Sequence, residues 1–163
     1  MRPGDMLLFH RPVTFANFKA DPSGTFFCWL IQTATHSQWN HAALAISTTE
    51  YVEATSYGVR RTQIGSTSDQ VQWVPVLYDD QEDRDTAVAW AVAREGERYG
   101  YLNAFMCGLN NLLVGLGFVI KRTDSIICSE LVAESLERAG YDFGTDSSLV
   151  SPGDLASAFG VNR

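Results

Sequence analysis

Two short apolar segments separated by a few polar residues are the feature that most limits the fold of this chain. His41 to Ile46 and Tyr51 to Thr55 both have the composition of strands, and Ser47 to Glu50 between them suits a tight turn. Because only antiparallel strands are joined by so short a link, the pair predicts a β-hairpin. A hairpin centred on Ser47 would place positions 41 and 53 opposite each other on one face, with Cβ atoms roughly 5 Å apart.

The rest of the chain adds strands and helices that are partly segregated. Further strands are predicted over Asp5 to Phe9 and Val71 to Tyr78, where Pro75 indicates an edge strand or a bulge. Helices are predicted over residues 26 to 35 with Ser23 or Thr25 as the cap, from Asp79 and Asp80 to a stop near Gly96, over about 127 to 139, and from Ser151 through Phe159. The fold class is therefore α+β, and a length of 163 residues suits one domain over 1–163.

Charge and composition exclude several partners. The formal net charge of −7 repels phosphate backbones and anionic membranes, so we expect no nucleic-acid partner. The N-terminus lacks the apolar run of an export signal, and we expect the chain to be cytoplasmic at synthesis. Leu102 to Ile120 approaches bilayer length, but asparagines and glycines interrupt it. A buried helix with an apolar loop is favoured there over a membrane span or a lid beside a binding site.

The chain's three cysteines are widely spaced and form no CxxC pair, which favours reduced thiols over a disulfide framework or a thiolate zinc site. Cys128 stands at the start of a predicted helix. The positive end of the helix dipole and the unpaired backbone N–H groups there lower the pKa of a thiol. The alternative is that Cys128, a small apolar residue, only fills space in the core.

His41 and Glu53 are candidate partners of that thiol. On one face of the hairpin, the carboxylate would orient the imidazole and leave its second nitrogen free to take a thiol proton. A register shift of one residue would send Glu53 to the other face, and either residue alone also suits a structural or solvent-facing position. His10 and His36 have no such strand partner and rank below His41.

Seven short motifs occur in an order that carries a family resemblance. They are "GDMLLF" (4–9), "NHAALAI" (40–46), "VEA" (52–54), "GV" (58–59), "GERYG" (96–100), "CSELV" (128–132) and "SPGDLA" (151–156). This order resembles the circularly permuted papain-like hydrolases, the permuted branch of the NlpC-type cell-wall endopeptidases, which are related to lecithin-retinol acyltransferase. The resemblance implies a permuted papain-like fold in which an antiparallel sheet or partial barrel packs against a cysteine-bearing helix.

The resemblance also implies roles for individual residues. Cys128 would be the nucleophile, His41 the general base and acid, and Glu53 the orienting group. The Cys128 N–H would be one oxyanion donor and Tyr99 of "GERYG" another, with Tyr101 as its competitor. Because the third residue of the set, Glu53, is a carboxylate, the sequence resembles the bacterial hydrolase-like branch more than the retinoid enzymes.

The expected activity is that of a cysteine amidase or endopeptidase. Its substrate would be a small peptide-like molecule, and the resemblance implies the stem peptide of peptidoglycan. Cleavage would proceed through a thioester, without a cofactor or metal. One alternative uses the same thiolate on an acyl-lipid ester or thioester, with Leu102 to Ile120 as the chain-binding wall, and another is a non-catalytic binding module. A zinc site made by the same three residues is a further alternative.

Two questions on substrate and setting stay open at this stage. Arg60 and Arg61 suit either a substrate carboxylate or a solvated face. Action on a cell wall would require release by a lysis or secretion route, or delivery in a phage particle, and membrane association is the less favoured expectation.

Overall fold

The computed structural model describes residues 1–66, 69–100 and 126–162. Its described elements are strands β1 Met6–His10, β2 His41–Ala45, β3 Glu50–Thr55, β4 Gly58–Gln63 and β5 Gln70–Val74, and helices α1 Phe15–Ala20, α2 Pro22–Thr35, α3 Gln81–Ala93, α4 Cys128–Arg138 and α5 Pro152–Ala158, with a 3-10 turn at Ser147–Leu149. The α+β class expected from the sequence is confirmed.

The five strands form one antiparallel sheet in the order β4-β3-β2-β1-β5. Side chains alternate between its two faces because successive residues of a strand point to opposite sides. One face carries Met6, Leu8, Leu44 and Val74, which pack in a common core with apolar residues of α3, α4 and α5. Leu7, Phe9, Ala43, Ala45 and Tyr51 form a separate buried cluster on the opposite face.

Helix α4 is the central helix of the described structure. Every residue from Cys128 to Leu136 is buried, and the helix packs against β2, β3, α3 and α5. The burial extends to polar residues, since Glu130 and Ser135 are fully covered. A helix buried on all sides has a fixed position, so its first residue, Cys128, is held rigidly relative to the sheet.

Local sequence signals explain most element boundaries. Asp80 caps α3 by accepting a hydrogen bond from the Asp83 N–H at 2.9 Å, and Ser151 caps α5 through the Asp154 N–H at 3.2 Å. Helix α2 starts earlier than predicted because Asp21, rather than Ser23 or Thr25, is its cap. Proline fits the first turn that follows, since its missing N–H has no partner in a helix start.

Strand β5 is shorter than the predicted segment 71 to 78. It ends at Val74, directly before Pro75, and lies at the edge of the sheet next to β1. Proline has no N–H to donate to a neighbouring strand, so an edge position was expected. Across the described ranges, no helix has the length and apolar character required to cross a membrane. The segment Leu102–Ile120 and Cys107 lie outside the described residues.

Candidate active site

Cys128 is the first residue of α4 and lies almost completely out of solvent. It is 4% exposed and packs in a buried cluster with Val52, Ala54, Val59, Ile126 and Leu131. The preceding residue, Ile127, has no polar side chain to cap the helix. Instead the Glu130 carboxylate accepts a hydrogen bond from the Ile127 N–H at 3.2 Å. The helix start is thus stabilised by Glu130 from inside its first turn, without a polar side chain at the capping position Ile127.

Three hydrogen bonds surround the Cys128 sulfur. They involve the His41 side chain and the backbone N–H groups of Ala42 and Ser129. The pairing of β2 with β3 ends at Ala43↔Glu53 and does not extend to Ala42, the preceding residue of β2. We infer that the Ala42 N–H donates to the sulfur because β2 and β3 have separated at this point.

The electrostatics of Cys128 and His41 favour a thiolate and an imidazolium. Burial raises the pKa of the Cys128 thiol, but the His41 charge and the hydrogen bonds to the sulfur outweigh it, and the net shift is downward. Burial lowers the pKa of His41, but the Cys128 thiolate and then Glu53 outweigh it, and the net shift is upward. Each group stabilises the charged form of the other, as expected for an activated nucleophile.

Glu53 binds the other side of the imidazole. Its Oε2 lies 2.8 Å from His41 Nε2, so Nδ1 is the ring nitrogen that remains for Cys128. The predicted register was wrong: Glu53 lies opposite Ala43, not opposite His41. The shift amounts to two residues, which keeps both side chains on the same face, and the contact is made diagonally between two long side chains.

The Glu53 carboxylate is held on its second oxygen as well. Oε1 accepts hydrogen bonds from Arg60 Nε at 3.2 Å, Arg60 Nη2 at 3.1 Å and Thr62 Oγ1 at 2.7 Å. Glu53 is only 5% exposed. Burial raises the pKa of its carboxyl, but His41, Thr62 and Arg60 together lower it to about 2. Glu53 is accordingly ionised at neutral pH.

Sequence reasoning missed the partners of Glu53. Thr62 has no distinguishing signal in the sequence, and the pair Arg60 and Arg61 suits either a solvated face or a substrate carboxylate. The structure separates them: Arg60 binds Glu53, whereas Arg61 binds Glu95 at 2.7 Å. The signal that would have found this is the two-residue period of a strand, had β4 been recognised.

Tyr99 lies close to the same site. A parallel bridge pairs it with Ile126, two residues before Cys128, and its side chain packs against Ile127. It lines a groove of about 710 Å³ together with His41, Glu53 and Arg60. Its role as an oxyanion donor stays a prediction, and Tyr101, the competing candidate, lies outside the described residues.

The groove reaches the catalytic candidates from the His41 side. The His41 side chain is 22% exposed and belongs to the described lining, whereas Cys128 is not part of that lining. Cys28 on α2 also lines the groove, and burial raises the pKa of its thiol to about 11.

The other two histidines have structural positions. His10 Nδ1 lies 2.8 Å from the Gln38 carbonyl oxygen, and His36 ends α2 in a left-handed conformation with φ of 49°. In the part of the chain that the structure describes, no group of three or more His, Cys, Asp or Glu residues is arranged to hold a metal ion.

Comparisons with family models and curated proteins do not assign the chain to a family. No protein-family model matches the sequence, and no curated protein matches it. The site is therefore interpreted from its own geometry, in which a buried cysteine, a half-buried histidine and a buried glutamate form one hydrogen-bonded series.

Proposed function

We propose that the protein is a cysteine hydrolase, an amidase or endopeptidase that acts on a small peptide-like substrate, with a permuted papain-like fold. The observation that carries this proposal is the hydrogen-bonded series from Cys128 through His41 to Glu53. It provides a nucleophile, a base and an orienting group in the geometric order that such catalysis requires. The antiparallel sheet packed against α4 and the motif order support the fold.

The proposed reaction has two steps. The Cys128 thiolate attacks the substrate carbonyl carbon, and the tetrahedral intermediate collapses when His41 donates its Nδ1 proton to the leaving amine. A thioester on Cys128 remains. His41, now neutral, takes a proton from water, which attacks the thioester and releases a carboxylic acid and the starting thiolate pair.

The developing oxyanion requires donors near the start of α4. The first N–H groups of a helix have no intrahelical partner, so the Cys128 N–H is the natural first donor. Tyr99 is the proposed second donor because it lines the groove and its backbone pairs with the residues just before Cys128. A stem peptide of peptidoglycan is the substrate that the sequence resemblance favours.

An acyl-lipid ester or thioester is the second candidate substrate. The observation that favours it is the exposure of Phe26 and Trp29, 50% and 46%, on the helix whose Cys28 and Ile31 line the groove. Incubation with a D-amino-acid-containing stem peptide and with a labelled fatty-acyl ester separates the two. An acyl adduct on Cys128 with the lipid alone would overturn the peptidase proposal.

Alkylation of the thiols tests whether Cys128 is an activated nucleophile. We expect iodoacetamide to label Cys128 faster than Cys28 at neutral pH, despite its lower exposure, because the Cys128 pKa is lowered and the Cys28 pKa is raised to about 11. Mass mapping of labelled peptides over a range of pH measures both rates. His41→Ala should bring the two rates close together.

Cys28 is the internal control, since it belongs to the same chain, lines the groove and has a thiol pKa raised to about 11. Equal labelling of the two thiols in the wild-type protein would contradict the hydrolase proposal. It would favour a non-catalytic binding module on the same fold.

A further inference from the structure

Three hydrogen-bond donors converge on a single oxygen of Glu53. Two come from the guanidinium of Arg60 and one from the hydroxyl of Thr62, all to Oε1, at 3.2, 3.1 and 2.7 Å. Arg60 and Thr62 are two residues apart on β4, so they project from the same face of the sheet. Arg60 lies directly opposite Glu53 in the β3–β4 pairing.

These bonds leave Oε2 directed to His41. The carboxylate reaches the imidazole diagonally, because Glu53 is paired with Ala43 rather than with His41. Rotation of the carboxylate about its last bond would break the three bonds to Oε1 together. The orientation of Glu53 is thus fixed from β4, and the orientation of His41 follows from it.

The charged and titratable groups that face Glu53 come from three strands. They are His41 on β2, Tyr51 on its own strand β3 and Arg60 on β4. Burial, followed by the Glu53 charge, raises the pKa of Tyr51, so its phenol is neutral at neutral pH. Thr62 carries no charge, and its removal therefore alters the geometry of the carboxylate without changing the charge of the site.

We propose that Thr62 and Arg60 are positioning residues, which hold Glu53 so that it keeps His41 oriented toward the Cys128 sulfur. The inference rests on the proposed function and assigns that site two further residues. Neither residue reaches the sulfur. Both act through the carboxylate, and their effect should appear in the ionisation of the Cys128–His41 pair.

Thr62→Val is the primary test, since valine keeps the shape of threonine and removes only the hydroxyl. A less firmly held Glu53 stabilises the imidazolium less, so the thiolate form of Cys128 becomes less favourable. We expect iodoacetamide labelling of Cys128 at pH 6 to slow by about three- to tenfold. The free-energy change that corresponds to this factor is only a fraction of the strength of a charge-assisted hydrogen bond. The acid limb of the rate profile should move to higher pH.

Arg60→Lys tests the guanidinium at constant charge. Lysine cannot reproduce the two parallel donors, so we expect the same direction of change as in Thr62→Val. The matched control is Arg61→Lys, on the opposite face of the same strand, where the partner is Glu95; its profile should equal that of the wild type. Wild-type behaviour of Arg60→Lys would overturn the assignment of Arg60.

A double-mutant cycle with Glu53→Gln separates positioning from a general structural effect. If Thr62 acts through the carboxylate, Thr62→Val should have no further effect on labelling in the Glu53→Gln protein. An equal slowing in both backgrounds, or an unchanged profile in Thr62→Val alone, would overturn the inference. Thermal melts of each variant confirm that folded proteins are compared.

The same data distinguish this inference from the proposed function. If wild-type Cys128 reacts no faster than Cys28, the proposed hydrolase fails. If wild-type Cys128 is fast and Thr62→Val leaves it unchanged, only the positioning role fails.

Discussion

Glu53 is an anion in a buried position, and its neighbours explain how it stays charged. An ionised carboxylate out of water is costly unless it is paired and hydrogen-bonded. Here both oxygens are bonded, one to His41 and the other to Arg60 and Thr62. The sequence identified His41 and Glu53 as a pair because alternation along two strands is a local signal. It did not identify Arg60 and Thr62, because their strand has too few apolar residues to be recognised.

The low pKa of Glu53 predicts a stability change in acid. Its folded-state pKa of about 2 lies below the ordinary value of 4.5, so the ionised group stabilises the fold above pH 4.5. That contribution is lost as the pH falls toward 2. We expect wild-type protein to lose on the order of 2 to 3 kcal/mol in this window from Glu53 alone.

Urea unfolding at a series of pH values, on wild type and Glu53→Gln, measures this contribution. The variant should be less stable at neutral pH and should show a shallower decline in acid. Glu82→Gln, which alters an exposed carboxylate in the first turn of α3, is the control and should follow the wild-type decline. Parallel curves for wild type and Glu53→Gln would contradict the assignment of an ionised, stabilising Glu53.

At the scale of elements, the structure departs most from the sequence-based expectation at β4. The segment "GVRRTQ" has only two buried residues, Gly58 and Val59, because β4 is an edge strand with one exposed side. Alternation of apolar and polar residues predicts strands that have one buried face. An edge strand of mostly polar residues shows little of this alternation, so it is hard to recognise in the sequence. Helices α3, α4 and α5 were predicted nearly in full, since their caps and apolar spacing are local features.

The turn that starts β4 predicts a contrast between two glycines. Gly58 has φ of 99°, and a Cβ there would lie 2.7 Å from the Glu97 carbonyl oxygen, whereas Gly65 has φ of 82° and an added Cβ meets no described atom within 4 Å. Alanine at either position costs about 1 to 2 kcal/mol for the left-handed backbone. Only Gly58→Ala should add the cost of displacing Glu97.

Thermal or urea unfolding of Gly58→Ala and Gly65→Ala checks this contrast. We expect Gly58→Ala to be the less stable variant by about 1 to 3 kcal/mol, in the range of overpacked sites. It should also slow Cys128 labelling, because β4 carries Arg60 and Thr62. Equal stability of the two variants would mean that the approach of Glu97 to the turn is not a constraint.

At the scale of the whole molecule, the site joins parts of the chain that local patterns do not connect. The hairpin β2–β3 supplies His41 and Glu53, and α4 supplies Cys128 from 87 residues after His41. Their contact depends on the packing of α4 against the sheet. The sheet itself depends on pairing between β1 and β5, which are far apart in the sequence of the N-terminal half. The strand and helix patterns identify His41, Glu53 and Cys128 as candidate partners, but the packing that joins distant segments is not a local signal, and the family resemblance supplied the role of each residue.

The depth of the sulfur predicts a dependence on reagent size. Cys128 is 4% exposed and does not belong to the described lining of the groove. We expect iodoacetamide to react rapidly, while a maleimide carrying a large polyethylene glycol chain reacts slowly with Cys128 in the folded protein. Rates for each reagent are divided by its rate with urea-unfolded protein, which removes intrinsic differences in reactivity. An equal folded-to-unfolded ratio for both reagents would contradict a sulfur lying below the groove surface.

The order of the site along the chain has a consequence for biosynthesis. A ribosome completes the hairpin that carries His41 long before it adds the segment that carries Cys128. Until α4 docks, that thiol has neither its imidazole nor its helix dipole, and its acidity is that of any free cysteine. An incompletely folded copy would thus lack the activated thiol on which the proposed function depends. The proposed hydrolytic activity would then appear only after α4 has docked on the sheet.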